Sequence, residues 1–388
     1  MNGTHIQSIL DNDTYTFSLQ NAILELFPDA TAEYRFFNRG KHVITPALVE
    51  ELKYHINHVF PSLSLTQEEY KWFKDKCKYL KPWYFEYLKN YRFKPEEVTI
   101  TQDSEFSLKV RGPWHSTICW EVPLLATISD LYFKMVDKQW SMDGQIEKIN
   151  QKATILSDND CKVSDMSTRR RRNFETQDMV VHEMKKYRCF VGTSNPYLAM
   201  KYDATPIGTM SHQWTQAMQS LESIRHCNYY AMHNWIRVFG TSLGTMLTDT
   251  VTTDCFLRDF NSRFSNLFAG TRNDSGNEFE YVEKLIRHYQ GFKINPLSKS
   301  IIFSNSLNVA KAVALRKYCE GKINPAFGIG NHLGNDFVNS PAPNMVIKMW
   351  STNGIPTVKL SDDIGKVTGD NDAVRVTKWT CCGTPLDL

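Results

Sequence analysis

The chain has 388 residues, 41% of them hydrophobic and 22% charged, enough to bury a substantial core and long enough for two or three domains. Its 45 basic and 42 acidic residues leave a net charge of +3, which excludes a whole-protein field drawing it to nucleic acid or an anionic membrane. No long apolar run occurs, and the start, MNGTHIQSILDND, has no basic segment followed by an apolar one, so a soluble, cytoplasmic protein with no membrane and no nucleic-acid partner is expected.

In chain order, Thr45-Pro46 opens a helix with Leu48, Leu52, Ile56 and Val59 on its apolar face. The T-x-x-E box from Thr66 to Glu69 opens another, with Tyr70, Phe73, Cys77 and Leu80 inward. His55 and His58 share a helix face without a carboxylate or cysteine at ligand spacing, and read as solvated. Val98 and Ile100, then Phe106, Leu108 and Val110, alternate around a polar Asp103-Ser104 turn and predict a β-hairpin. A helix over 121–135 leads into the polar stretch 141–165, which reads as a linker.

From 165 onward short apolar runs end in polar or glycine residues and give way to helical stretches. The runs are 188–191, 204–208, 245–247, 266–268, 301–303 and 326–327. Repeated strand-then-helix segments mean a largely parallel sheet, and this many can close into a barrel. In such a fold the ligand lies at the carboxyl ends of the strands, which nominates Arg169, His212, Asp249, Arg272, Asp274 and the glycines Gly328 and Gly330 as one site. Arginines pair with carboxylates and phosphates, glycine turns expose N–H groups to phosphate, and aspartates hold Mg²⁺-bound phosphate or hydroxyl groups, so a phosphorylated small substrate fits. The glycine spacing G-x-G-x-x-x-G is not the dinucleotide fingerprint, and no P-loop occurs.

Nine scattered cysteines, an odd number with no C-x-x-C, argue against a disulfide framework or zinc site and for a reducing compartment. The conspicuous stretch is Ser164 to Phe174, SDMSTRRRRNF, with four consecutive arginines.

The stretches DNDTYTFSLQNAI (11–23), GPWHSTICWEVPLLATIS (112–129), STRRRR (167–172), FVGTSN (190–195), IGTMSHQW (207–214), LTDTVTTDCFLRDF (247–260), RNDSG (272–276), AFGIG (326–330) and VIKMWSTNGIPTVKLSDDIGK (346–366) resemble, in order and spacing, bacterial nicotinate phosphoribosyltransferases. The resemblance spans residues 5–368, and the tail through Cys381-Cys382 falls outside it. It implies an α/β fold: an irregular β/α barrel of the type II phosphoribosyltransferases (126–340) beside an N-terminal α/β domain (1–125), completed by late strands from 341–388, as a homodimer with shared active sites. It further implies nicotinate, 5-phosphoribosyl-1-pyrophosphate (PRPP) and ATP as substrates, Mg²⁺ as cofactor, and a place in NAD biosynthesis.

His212 matches the family's phosphohistidine; Asp249 and Asp254 match groups for the ribose hydroxyls and Mg²⁺-pyrophosphate. The 328–330 backbone and Asn305 match the ribose-phosphate site, and Arg39, Lys348, Lys359 and Lys366 match cations supplied partly by the neighbouring subunit. Tyr15 matches an aromatic stacking on the base across the dimer interface. Met166, Arg169, Arg170, Ser194, Arg272 and Asp274 match base-site positions. On this reading Arg169 and Arg170 bind anions, Arg171 assists, and Arg172 is solvated. The sequence departs from the family at Met166-Ser167 for Phe-Gly, Gln213 for Glu and Asn305 for Asp. These departures keep two alternatives open: nicotinamide as the base, or a weak paralogue kept for binding or regulation.

Overall fold

The protein is described as a computed structural model covering residues 5–103 and 105–384, so Ser104 of the expected turn lies outside the described residues. Three early strands, β1 (Thr31–Asn38), β2 (Val98–Gln102) and β3 (Phe106–Pro113), precede six short ones, β4 (Val163–Asp165), β5 (Phe190–Thr193), β6 (Thr245–Leu247), β7 (Gly270–Asn273), β8 (Ser300–Phe303) and β9 (Asn324–Ile329). Two late strands follow, β10 (Met345–Thr352) and β11 (Ile355–Pro356).

The early and late strands form one antiparallel sheet in the order β11-β10-β1-β3-β2. The chain therefore returns after some 230 residues to complete its first domain. The expected hairpin pairs Ile100 with Leu108, and the capping box at Thr66 and Glu69 is formed in both directions. The helix at Thr45-Pro46 is capped by the threonine side chain and widens into a π-turn over His55–Val59. That turn rotates His55 inward against the His5 ring, 4.5 Å between centroids, so His55 is buried rather than solvated, and burial and His5 lower its pKa to about 4.

The six middle strands are parallel, in the order β5-β4-β9-β8-β7-β6. Their outer edges do not pair directly. Thr193 N donates to Thr205 O (3.1 Å), Ile207 N donates to Thr193 O (2.8 Å), and the Thr209 hydroxyl donates to Thr245 O (3.1 Å), so residues 205–209 bridge the gap and the ring closes as an irregular barrel. The strand expected at 204–208 is thus a single bridge. Its close approach explains Gly192, where a Cβ would meet Thr205 O at 2.2 Å and φ is +150°.

Two further expectations are corrected. Residues 266–268 end the helix Ser262–Leu267, and the strand lies just beyond, because Gly270 alone fits against the Ser300 carbonyl, 2.2 Å from where a Cβ would stand. The linker expected at 141–165 is a helix, Gln145–Asp158, burying Ile149, Ala153 and Leu156 at i, i+4 and i+7, followed by β4. No helix among the described residues is long and apolar enough to cross a membrane.

Candidate active site

The carboxyl ends of the parallel strands open into a cavity of about 440 Å³. Met166, Arg169 and Arg170 enter after β4, Arg272 and Asp274 from β7 and its loop, Ser304 to Asn308 after β8, and Gly328 and Gly330 at the end of β9. His212 lies at its base. Arg39, Lys348, Lys359 and Lys366 of the same chain close the opposite wall, so these four cations reach the cavity without a neighbouring subunit. Seven cations facing two aspartates, Asp274 and Asp336, make a site for a polyanion.

The arginine run divides in two. Arg169 and Arg170 sit on a 3₁₀ turn, Thr168–Arg170, and face the cavity. Arg170 is lowered to about 10 by burial and by the Arg169 charge. Burial opposes the Arg169 charge too, but Tyr15, Glu121 and Asp13 raise its pKa. Glu121 Oε1 lies 3.6 Å from Arg169 and 3.9 Å from Lys348. Arg171 and Arg172 turn the other way and are fully buried. Arg171 grips Asp11 through both terminal nitrogens, at 2.7 and 2.9 Å. Arg172 lies over Phe133, 3.4 Å from its ring centroid, and Phe337, 4.1 Å, and donates to Ser340 Oγ and O, both at 2.6 Å. The readings of Arg171 as an assisting ligand and Arg172 as solvated are corrected: an extended residue at 171 redirects the chain into the core.

His212, the first residue of helix His212–Leu221, places Nε2 2.9 Å from Asp249 Oδ1 and 3.6 Å from Asp274 Oδ2. Asp249 Oδ2 accepts from Ser275 Oγ (2.6 Å) and pairs with Lys359 (3.1 Å). Burial disfavours the Asp249 charge, but His212 and Lys359 hold its carboxyl well below the usual range. Burial, helped by Lys359, lowers His212, so the imidazole is neutral at pH 7. Asp274 accepts from Ser304 Oγ (2.7 Å) and lies 3.5 Å from Arg272; Arg272, and then His212 once acid has protonated it, outweigh burial and depress its pKa. Lys348 is lowered to about 7, chiefly by burial.

At the β9 end a Cβ on Gly328 would meet Met166 Sδ at 2.3 Å, and one on Gly330 would meet Met166 O at 3.0 Å. Glycine is what lets Met166 lie against the strand end. Ser167 points away, its hydroxyl donating to Asp165 Oδ1 at 2.5 Å, and does not line the cavity. The Gln213 amide oxygen accepts from Tyr34 and Trp114 of the first domain. Asn305 accepts from Lys366 (2.8 Å) and donates to Glu278 (3.1 Å), itself held by Lys311 (2.5 Å).

Three expected site residues sit elsewhere. Asp254, in the first turn of helix Thr253–Asp259, faces out and pairs with Lys284 at 2.7 Å. Ser194 is buried behind the arginine turn, its hydroxyl donating to Asp13 (2.5 Å). Tyr15 lies beside its own chain's Arg169, 3.4 Å from hydroxyl to guanidinium. Sequence reasoning missed Glu121, Ser275 and Ser304. Glu121 alone carried a signal, a single carboxylate opening the apolar helix Glu121–Met135.

A parallel barrel whose strand ends carry glycines and clustered cations, beside an antiparallel domain completed from the C-terminus, is the architecture of a type II phosphoribosyltransferase. Sequence comparison narrows the class. The profile of the nicotinate phosphoribosyltransferase (NAPRTase) family matches residues 161–382, that of the family's N-terminal domain matches 10–129, and the chain belongs to this family. The match through residue 382 brings the C-terminal tail, set apart on sequence grounds, within the family. Nicotinate phosphoribosyltransferase of Methanosarcina mazei is 45% identical over 98% of this chain and 100% of its own, and that of Methanococcoides burtonii is 43% identical over 96% and 97%. Among solved structures, nicotinate phosphoribosyltransferase from Porphyromonas gingivalis superposes with a TM-score of 0.95 at 35% identity, covering 97% of this chain and 100% of that one. The Vibrio cholerae enzyme superposes with a TM-score of 0.94 at 28% identity, covering 100% and 96%.

Proposed function

We propose that the protein transfers the 5-phosphoribosyl group of PRPP to nicotinate, giving nicotinate mononucleotide and pyrophosphate for NAD biosynthesis, and couples this to ATP hydrolysis through a phosphohistidine at His212. The observation carrying this reading is the neutral, buried His212 held to Asp249, itself paired with Lys359, at the base of a seven-cation cavity. With Nε2 committed to Asp249, Nδ1 is the nitrogen left to accept a phosphoryl group.

In the transfer, the bond from C1 to pyrophosphate breaks and a bond from C1 to the pyridine nitrogen forms, through an oxocarbenium-like state. Catalysis is positioning and electrostatics: the cations neutralise the leaving pyrophosphate while Arg169 and Arg170 hold the carboxylate of the base near Met166. Oxygen atoms of Asp249 and Asp274 lie within 4.8 Å of His212 nitrogen, a spacing that could hold a metal ion. Both Asp249 oxygens already accept from His212, Ser275 and Lys359, so the donor set suits Mg²⁺ arriving on PRPP rather than an ion resident in the protein.

Gln213 and Asn305 make their contacts away from the His212 imidazole, which favours an active enzyme over a binding paralogue. The homodimer and cytoplasmic location stay part of the proposal. Purified protein and His212→Ala are incubated with nicotinate or nicotinamide, PRPP and Mg²⁺, with and without ATP. The expected result is nicotinate mononucleotide formation stimulated by ATP, with phosphohistidine only in the parent. No product, or nicotinamide turnover equal to nicotinate, would overturn the reading.

A further inference from the structure

Cysteines that this chemistry does not use meet where the C-terminal tail docks. The turn Lys378–Cys382 lies against the helix Thr253–Asp259, which carries Cys255, and the start of the helix Cys227–Phe239. The dock is specific: Arg225 donates to Thr380 O (2.9 Å), Arg258 to Cys381 O (2.8 Å) and Cys381 Sγ to Ile224 O (3.2 Å), while Cys255 Sγ lies 3.2 Å from Cys381 O. It sets the Sγ atoms of Cys255 and Cys382 3.4 Å apart. Cys382 is exposed, whereas Cys255 is 5% exposed and Cys227 and Cys381 less, so Cys382 is the sulfur a solute can reach.

We propose that Cys255 and Cys382 form a thiol–disulfide exchange site, with a small-molecule disulfide such as oxidised glutathione as oxidant, and that the bond clamps the tail to the loop carrying Asp249 and slows the enzyme. The hydrogen bond to Cys255, and then burial, raise the Cys382 thiol, so in the first step its proton passes by way of the neighbouring Cys255 thiolate to the departing sulfur as Cys382 Sγ attacks the small disulfide, breaking its S–S bond, forming a mixed disulfide and releasing one thiol. In the second, the Cys255 thiolate attacks Cys382 Sγ, forms the internal S–S bond and expels the second thiol. Two protein thiols are oxidised and one disulfide is reduced to two thiols. The hydrogen bond from Cys382 first, then the Thr252 hydrogen bond and the Arg258 charge, bring the Cys255 thiol down to about 6 against the opposing effect of burial, so the resolving sulfur is a thiolate at neutral pH.

The link reaches the active site because the two sulfurs must close by about 1.3 Å to a disulfide bond length. Cys382 Sγ also lies 3.9 Å from Val251 O, and Leu360 N donates to Thr250 O (2.8 Å), so the pull falls on the segment from Thr250 to Cys255. That segment contains Thr252 at φ +129°, a conformation a β-branched residue holds only when its surroundings impose it. Asp249, the partner of His212, stands at its upstream end.

The full-length protein is equilibrated with oxidised and reduced glutathione, free thiols are alkylated, and peptides are mapped. The expected product is a Cys255–Cys382 cross-link, absent from Cys382→Ser, and reversed by dithiothreitol. Turnover should fall on the order of ten-fold with cross-linking, as a misplaced catalytic group would cause, and Cys382→Ser should keep the reduced parent's rate under oxidation. A mixed disulfide that persists at Cys382, a Cys381–Cys382 link, or no link overturns the exchange site, and a link without loss of turnover overturns its coupling to Asp249. The mapping arm does not depend on the proposed reaction, so the two readings fail separately.

Discussion

Replacing Arg172 with alanine should destabilise the protein without weakening substrate binding, and Arg170→Ala should do the reverse. Arg172 donates two hydrogen bonds to Ser340, whose hydroxyl in turn donates to Asp137 (2.7 Å), and its guanidinium lies 3.4, 4.1 and 5.2 Å from the ring centroids of Phe133, Phe337 and Trp140. Charge-assisted hydrogen bonds contribute about 1.5–3 kcal/mol each, and desolvated cation–π contacts about 2 kcal/mol. Several kcal/mol of that gain are offset by the cost of burying the ion. The net loss for Arg172→Ala is then about 3 kcal/mol, and for Arg172→Lys, which keeps the charge but not the planar fork, about 2 kcal/mol.

Arg170 has the opposite surroundings. Arg169 and Arg39 both disfavour its charge, so Arg170→Ala should leave stability within about 0.5 kcal/mol of the parent and raise the Kd for PRPP about ten-fold. Urea midpoints and PRPP calorimetry on the three variants and the parent test the division. The reasoning fails if Arg172→Ala shifts stability by less than about 0.5 kcal/mol, or weakens PRPP as much as Arg170→Ala does.

Lys348, lowered to about 7 by burial, is largely neutral in the free protein at pH 8 and is charged when an anion fills the cavity, so PRPP binding should take up close to one proton. Calorimetry at pH 8 in buffers of different ionisation enthalpy measures it, and a Lys348→Met protein that still takes up the proton rules out this assignment. The same shift makes the free protein's stability rise as pH climbs from about 7 through the unfolded value, because the unfolded chain binds the extra proton there. His212 is lowered by burial and Lys359, so its contribution to stability is complete above the unfolded value of about 6.5 and is lost as pH falls through the lower folded value. The acid limb of ATP-dependent turnover should therefore lie below 6.5 and move up in Lys359→Met; a limb at or above 6.5 in the parent contradicts this. Asn305→Asp would set a second carboxylate against Glu278 and should cost about 1 kcal/mol in the urea midpoint, recovered by Glu278→Gln. Additive effects in the double variant would show that the two side chains do not interact.

Helix starts were legible because their signals are local. Thr45-Pro46 and the Thr66–Glu69 box act within one turn, and the structure forms both. The barrel strands were legible where apolar runs and strands coincide, as at β6, β8 and β9. They were missed where tertiary contact overrides pattern. Leu267-Phe268 look like strand but pack as a helix end, because the neighbouring strand β8 needs a glycine opposite Ser300. The helix Gln145–Asp158 hid in a polar stretch since its buried face has just three apolar residues, Ile149, Ala153 and Leu156, beside the polar Gln145, Lys152 and Ser157.

The site was legible by residue type and obscure by direction. Nothing within SDMSTRRRRNF distinguishes one arginine from the next, because the partners that do so, Asp11 and Ser340, lie 160 and 168 residues away. The division has a physical purpose. A loop presenting two adjacent cations to a cavity, only one of them with a carboxylate close by, at 3.6 Å, is pushed apart by its own charge unless something else fixes it. Arg171 on Asp11, Arg172 among three aromatic rings, and Ser129 accepting no part of that charge but donating to the Arg171 carbonyl (2.7 Å) together fix the backbone on the core side. Arg170 can then wait for an anion with no carboxylate paired to it, beside Arg169 with Glu121 at 3.6 Å, which is the preorganisation that electrostatic catalysis requires. Two buried arginines hold the loop so that two others are free to bind.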